Sequence, residues 1–120
     1  MEVRWLAFAS EQLKADIQYV VDHFGEMTAR KSLRRVLDAV DKLGRYPDKG
    51  VWDKKFSTSE FRVRHLNVGP NKVFYLVDAN EVVVIAVMHC KQSSDVVNRA
   101  IKYALEKQED SRKRGDSWKR

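Results

Sequence analysis

The chain has 120 residues, of which 43% are hydrophobic and 33% are charged, and its formal net charge is +6 at neutral pH. This length fits one domain with a hydrophobic core, which excludes global disorder, and no stretch approaches the roughly 18 apolar residues that a membrane span needs. The excess of lysine and arginine favours an anionic partner such as RNA, DNA or an acidic protein.

The single cysteine, Cys90, cannot form an internal disulfide. No group of cysteines and histidines has the spacing of a zinc site, and we expect neither a metal nor a cofactor. Cys90 follows an apolar run, which predicts a buried structural thiol. The N-terminus lacks a charged segment followed by a long apolar stretch, so we expect no signal peptide, no membrane association and a cytoplasmic location.

The first half of the sequence predicts one strand and two helices. Apolar positions alternate in residues 3–9, which predicts a strand, and Ser10 is a suitable N-cap for a helix that ends at Gly25. Thr28 can cap a second helix, which has a clean apolar stripe and stops at Gly44. Four basic residues of this helix lie off the stripe: Arg30, Lys31, Arg34 and Arg35. The short joint between the helices predicts an antiparallel helical hairpin.

Three short strands follow an irregular segment that contains turn signals. In the first, residues 61–64, apolar residues alternate with Arg62 and Arg64, which predicts that both arginines project from the face opposite the core. Residues 73–77 form the second strand. Residues 82–88 form the third, which is apolar throughout and should be central. The short connections predict an antiparallel meander.

Ser94 or Asp95 can cap a last helix, whose apolar face ends at Leu105. Residues 106–120 are predicted to be a charged C-terminal tail, either a helix end or disordered, and their lone tryptophan has no assigned role. The element order is β-α-α-β-β-β-α. It predicts an α+β domain in residues 1–105, with an antiparallel sheet of about four strands, an N-terminal helical hairpin packed on one face and a C-terminal helix.

The element order and four strings of residues resemble the RelE/ParE superfamily of type II toxin–antitoxin toxins, which includes plasmid stabilisation proteins. The strings are a basic strand (residues 61–64), an aromatic-bearing strand (72–77), an apolar strand (82–87) and its polar end, Met88-His89-Cys90-Lys91. The segment from Leu43 through Pro47 to Gly50 is similar to the family's helix-ending segment. The resemblance covers residues 3–105 and implies the same fold.

The resemblance also implies a function and a partner. Toxins of this kind inhibit bacterial growth, and a cognate antitoxin neutralises them in a toxin–antitoxin hetero-oligomer. Such an antitoxin has an acidic, initially disordered segment that folds along the helical hairpin and the sheet edge. The net charge of +6 suits a partner of that chemistry.

One branch of the family cuts mRNA on the ribosome with a basic cluster on the open face of the sheet. By position, the resemblance places this cluster at Arg62, Arg64, Lys72 and Lys91, with His89 as an acid–base group. Cleavage through the 2′-hydroxyl needs a base for that hydroxyl, cations for the phosphorane and an acid for the leaving oxygen. This chemistry requires no metal, and the candidate catalytic set is these five residues.

One position departs from the mRNA-cleaving branch. Those enzymes place a tyrosine in the first turn of the final helix, and here the position falls on Val97, or on Val96 with a different gap. Valine can neither stack on a base nor transfer a proton, which leaves His89 or, with weaker support, His65 for that chemistry. ParE-like members lack the nuclease set and act on DNA gyrase. Three alternatives therefore stay open: an mRNA endoribonuclease, a gyrase inhibitor, and a basic binding module or decayed toxin.

Overall fold

The computed structural model describes the backbone of residues 1–118 and the side chains of residues 1–113. Within that part of the chain, one mixed sheet of five strands lies between a pair of helices and a third helix. The elements are β1 Glu2–Trp5, α1 Ala7–Phe24, α2 Glu26–Asp41, a 3₁₀ turn Lys42–Gly44, β2 Val51–Trp52, β3 Arg64–Val68, β4 Asn71–Asp78, β5 Glu81–His89 and α3 Ser94–Trp118. The predicted α+β class is confirmed.

The sheet differs from the prediction in its number of strands and in the direction of one strand. Its order is β1-β5-β4-β3-β2, and β1 pairs with β5 in parallel whereas the other neighbours are antiparallel. A parallel pair needs a long crossover connection, which α1 and α2 supply for β1. The two-residue β2 was not predicted because so short a strand has no measurable periodicity. As predicted, the apolar strand β5 is central.

The helical hairpin covers one face of the sheet. Leu13 of α1 and Val36 of α2 are buried in one cluster with Val73 and Val84 of the central strands. The first helix begins at Ala7, earlier than the predicted cap at Ser10, and has no side-chain cap. Its start is instead determined by packing, because the preceding residue, Leu6, is buried in the core on the opposite face.

The last helix, α3, covers the opposite face, where Ile101 and Ala104 pack with Phe74 and Ile85. Its first turn is capped by Ser93, whose Oγ accepts a hydrogen bond from the Val96 N–H at 3.3 Å, rather than by the predicted Ser94 or Asp95. The segment predicted as a charged tail continues this helix as far as Trp118. Residues 119–120 and the side chain of Trp118 lie outside the described part of the chain.

Polar contacts hold α3 where β4 turns into β5, a region called the turn end here. The Arg112 guanidinium binds both carboxylate oxygens of Asp78, with Nη2–Oδ1 at 3.0 Å and Nε–Oδ2 at 3.2 Å. Gln108 donates to Asp78 Oδ2 at 2.9 Å and accepts from Arg4, which also binds Glu81 at 2.8 Å. Burial raises the pKa of the Asp78 carboxyl, but hydrogen bonds from Arg112 and Gln108 outweigh it and lower the pKa below its ordinary value.

Candidate functional site

The structure does not bring Arg64 and Lys72 together. In the antiparallel pair of β3 and β4, Arg64 lies opposite Tyr75, whereas Asn67 lies opposite Lys72. Opposed residues share a face, and residues three positions apart in a strand lie on opposite faces. Arg64 is therefore on the face of the helical hairpin, and Lys72 is on the face that α3 covers.

Arg64 contacts the loop that precedes β2. Its Nη1 donates to the Gly50 carbonyl at 2.8 Å and its Nη2 lies 3.5 Å from Asp48 Oδ1. The buried hydroxyl of Tyr75 donates to the Pro47 carbonyl and accepts from the Gly50 N–H, both at 2.7 Å. Burial raises the pKa of the Tyr75 hydroxyl, although the Gly50 N–H lowers it in part. Arg64 thus joins Tyr75, a predicted core residue, in holding this loop.

Gly50 fits this loop because it has no side chain. A Cβ at this position would lie 2.6 Å from the Tyr75 ring and 2.8 Å from the His65 carbonyl oxygen. Both distances are far below van der Waals contact, and the second neighbour is backbone that cannot move freely. The glycine therefore allows the loop to approach the sheet closely enough for Tyr75 and Arg64 to bind it.

Arg62 lies elsewhere, with its guanidinium 4.5 Å from the centre of the Trp52 ring. As the alternation predicted, Phe61 and Val63 are buried and Arg62 is exposed. The segment is nevertheless not a strand, since β3 begins at Arg64. Its backbone N–H groups bind side chains instead of a neighbouring strand, for example the Val63 N–H with Ser57 Oγ at 2.9 Å.

Lys72 and His89 do lie together, in a cleft of about 260 Å³ between the start of α3 and the ends of β4 and β5, called the α3 cleft. The other residues that line it are Asp53, Lys55, Phe56, Phe74, Met88, Cys90, Gln92, Ser94 and Val97. The prediction of a buried thiol was wrong, because Cys90 follows the last residue of β5 and is exposed. Val97 occupies the cleft wall where the resemblance implies a tyrosine.

Lys91 lines a second, larger cleft of about 640 Å³ beside α1, called the α1 cleft. The other residues that line it are Gln12, Ala15, Asp16, Tyr19, Phe24, Asn71, Val87, His89 and Gln92. His89 therefore borders both clefts, and its Nδ1 accepts a hydrogen bond from the Lys91 N–H at 3.1 Å. Of the five candidate residues, the structure groups Lys72, His89 and Lys91 around one end of the sheet and places the two arginines elsewhere.

Sequence reasoning missed two features near these clefts. Asp53 lines the α3 cleft and its carboxylate lies 3.1 Å from Nδ1 of His65, a contact across a loop that no spacing pattern could reveal. The second feature is Trp52, which is exposed at the edge of the sheet. The only sequence feature that could have pointed to it is the pair of lysines that follows closely, Lys54 and Lys55. Among the described residues, no group of three or more His, Cys, Asp or Glu side chains could hold a metal ion. None of the described helices is long and apolar enough to cross a membrane.

A solved structure described as the chromosomal ParDE TA system from P. aeruginosa is similar to this one. The TM-score is 0.62 at 19% sequence identity, and the match covers 74% of this chain and 95% of that chain. The mixed sheet with its helical hairpin is therefore the fold of a chain from a toxin–antitoxin system. No curated protein sequence matches the chain significantly.

Residues 3–94 match the family model described as the ParE toxin of the type II toxin–antitoxin system, parDE. The chain belongs to this family of ParE toxins. The predicted resemblance to the RelE/ParE superfamily is thus confirmed. The matched segment begins at the second residue of β1, contains the helical hairpin and the strands β2 to β5, and ends at the first residue of α3.

Proposed function

We propose that this protein is the growth-inhibiting toxin of a type II toxin–antitoxin pair and that a cognate antitoxin neutralises it in a cytoplasmic hetero-oligomer. The family match over residues 3–94 carries this proposal. The similar solved structure from P. aeruginosa is described as a system with both components, which supports an antitoxin partner here.

An apolar groove between α1 and α2 supports a site for the antitoxin. It has a volume of about 620 Å³ and is lined by Trp5, Ser10, Leu13, Lys14, Ile17, Gln18, Leu33 and Leu37. It adjoins β1, which pairs with one strand only and leaves its other edge available. Apolar side chains of an antitoxin helix would fill the groove, and its acidic residues would face the basic side chains of α2.

Substitution in this groove separates neutralisation from toxicity. Leu37 is 43% exposed, so Leu37→Asp keeps the core intact but places a charge where the partner should pack. We expect this variant to inhibit growth even when the cognate antitoxin is co-expressed. Val96→Asp is the matched control, since Val96 is 36% exposed in the first turn of α3, where an acidic residue is tolerated. Equal neutralisation of both variants would contradict this site.

For the target, we propose DNA gyrase rather than ribosome-bound mRNA. Nuclease chemistry needs its cations around one phosphate, whereas Arg64 holds a loop, Arg62 contacts Trp52 and Lys72 lies on the opposite face from Arg64. Val97 occupies the position of the tyrosine in the mRNA-cleaving branch. The alternative is an mRNA endoribonuclease, which the shared cleft of Lys72 and His89 favours.

Induction of the toxin alone in a bacterium distinguishes these targets. A gyrase inhibitor activates a DNA-damage reporter and leaves mRNA 5′ ends unchanged, which is the outcome we expect. New 5′ ends on translated mRNA, lost in the Lys72→Ala and His89→Ala variants, would instead support the endoribonuclease. Growth that is unaffected by induction would contradict both targets and favour a basic binding module or a decayed toxin.

A further inference from the structure

The short edge strand β2 presents an exposed aromatic ring among cations. Trp52 is 43% exposed. The Arg62 guanidinium lies 4.5 Å and the Lys54 ammonium 5.1 Å from the centre of its ring. Lys55 lies 5.4 Å from the centre of the neighbouring Phe56 ring. These four residues, Trp52, Lys54, Lys55 and Arg62, are called the β2 platform. Gyrase inhibition gives none of them a role, and the endoribonuclease alternative uses Arg62 alone among them.

The positive charge of the β2 platform is not balanced by nearby carboxylates. Three nearby carboxylates already contact other side chains: Asp48 contacts Arg64 at 3.5 Å, Asp53 contacts His65 at 3.1 Å and Glu60 contacts Arg112 at 3.6 Å. Lys54, Lys55 and Arg62 form no ion pair with any residue whose side chain the structure describes. The platform therefore attracts anions without first having to break internal pairs.

The Trp52 ring is also held in place. Its Nε1 donates to Ser57 Oγ at 3.0 Å, and this hydroxyl donates to the Asp53 carbonyl at 2.8 Å. The same oxygen accepts from the Val63 N–H at 2.9 Å. A ligand that stacks on this indole consequently meets a surface whose conformational entropy is already restricted, which favours binding.

We propose that the β2 platform binds single-stranded nucleic acid. A base stacks on the exposed part of the Trp52 indole or on the Arg62 guanidinium, and the backbone phosphates lie against Lys54 and Lys55. An exposed ring with flanking cations matches an unstacked base joined to phosphates, whereas an acidic protein uses the cations alone. The platform meets the α3 cleft only at Lys55, because Trp52 pairs with Arg64 and so shares the face opposite Lys72.

Fluorescence anisotropy with the full chain tests this proposal, using labelled oligothymidylate and oligouridylate as probes. Trp52→Ala should weaken binding about tenfold or more, the range measured for loss of a stacked base, while Trp52→Phe should retain most of the affinity. Arg62→Ala should weaken binding strongly. Arg30→Ala is its charge-matched control, since Arg30 is exposed on α2 far from β2 in the sequence, and it should change binding only slightly.

The possible results either support or overturn the proposal. Binding of one or both single strands that depends on the Trp52 ring supports it, and the stronger of the two probes identifies RNA or DNA as the natural ligand. Absence of binding, equal losses in Arg62→Ala and Arg30→Ala, or tighter binding of a duplex than of either single strand overturns it. Circular dichroism of each variant confirms that it is folded, and Trp52→Phe provides a second test if Trp52→Ala is not.

Discussion

The two ends of the β4–β5 hairpin use their polar residues differently. At the turn end, Asp78 is bound by Arg112 and Gln108, and α3 is thereby joined to the sheet. At the opposite end, called the open end here, Lys72 and Lys91 make no ion pair with any residue whose side chain is described. Charged groups that satisfy one another stabilise a fold, whereas unpaired groups beside clefts remain available to a partner. The contrast suggests where to look for stability and where to look for function.

The largest effect is expected from Asp78→Ala at the turn end. The carboxylate side chain is 15% exposed, and its loss removes the acceptor of two hydrogen bonds from Arg112 and one from Gln108. We expect the free energy of unfolding to fall by about 2 kcal/mol, as for hydrogen bonds to charged groups. Urea denaturation measures this as a lower midpoint with an unchanged slope.

The control for this prediction is Lys72→Ala at the open end, which should change the free energy of unfolding by less than about 0.5 kcal/mol. If both variants were destabilised to the same extent, the two ends would not differ in the way proposed here.

The next largest effect is expected for Arg64, a candidate site residue whose contacts resemble those of the turn end. Its guanidinium donates to the Gly50 carbonyl at 2.8 Å, and Gly50 is buried against the Tyr75 hydroxyl. Arg64→Ala should therefore lower the free energy of unfolding by about 1 kcal/mol. Growth assays at a temperature where the variant is fully folded provide the second measurement. If toxicity disappeared while stability stayed at the wild-type value, Arg64 would be a functional residue rather than a structural one.

Apolar spacing allowed the helices and the central strands to be predicted, because burial imposes a period on each of them. The extension of α3 was harder to predict, since Gln108 and Arg112 hold it through polar contacts that have no period. Ser93 rather than Ser94 caps this helix. Adjacent serines are chemically equal, and only the backbone geometry selects between them.

Grouping the candidate site residues required information that alternation within one strand does not contain. Alternation correctly placed Arg62 outside the core. It did not show whether Lys72 lies on the same face of the sheet as Arg64 in the preceding strand. That relation depends on the register, in which Val68 lies opposite Asn71 across the two-residue turn Gly69-Pro70. Once that turn is assigned, simple counting places Arg64 and Lys72 on opposite faces.

A smaller effect at the turn end should appear as a dependence on pH. The pKa of the Asp78 carboxyl is lowered in the folded state, so its contribution to stability is present above the unfolded pKa of about 3.9 and is lost as the pH falls through the folded value. The stability difference between the wild type and Asp78→Asn should therefore narrow between neutral pH and about pH 3. Urea denaturation at several pH values measures it. A difference that stayed constant over this range would show that the Asp78 charge contributes nothing.

The smallest effect on stability is expected for His89→Ala at the open end. The His89 ring borders both clefts, and its hydrogen bond is accepted from a backbone N–H in an exposed turn, so its removal should change the free energy of unfolding by less than about 0.5 kcal/mol. Growth inhibition should nevertheless decrease, because His89 shares one cleft with Lys72 and the other with Lys91, so that a target at this end can contact it. The experiment compares urea midpoints with growth curves for the same variant. A large loss of stability with unchanged toxicity per folded molecule would assign His89 to the structure and remove the open end as the functional surface.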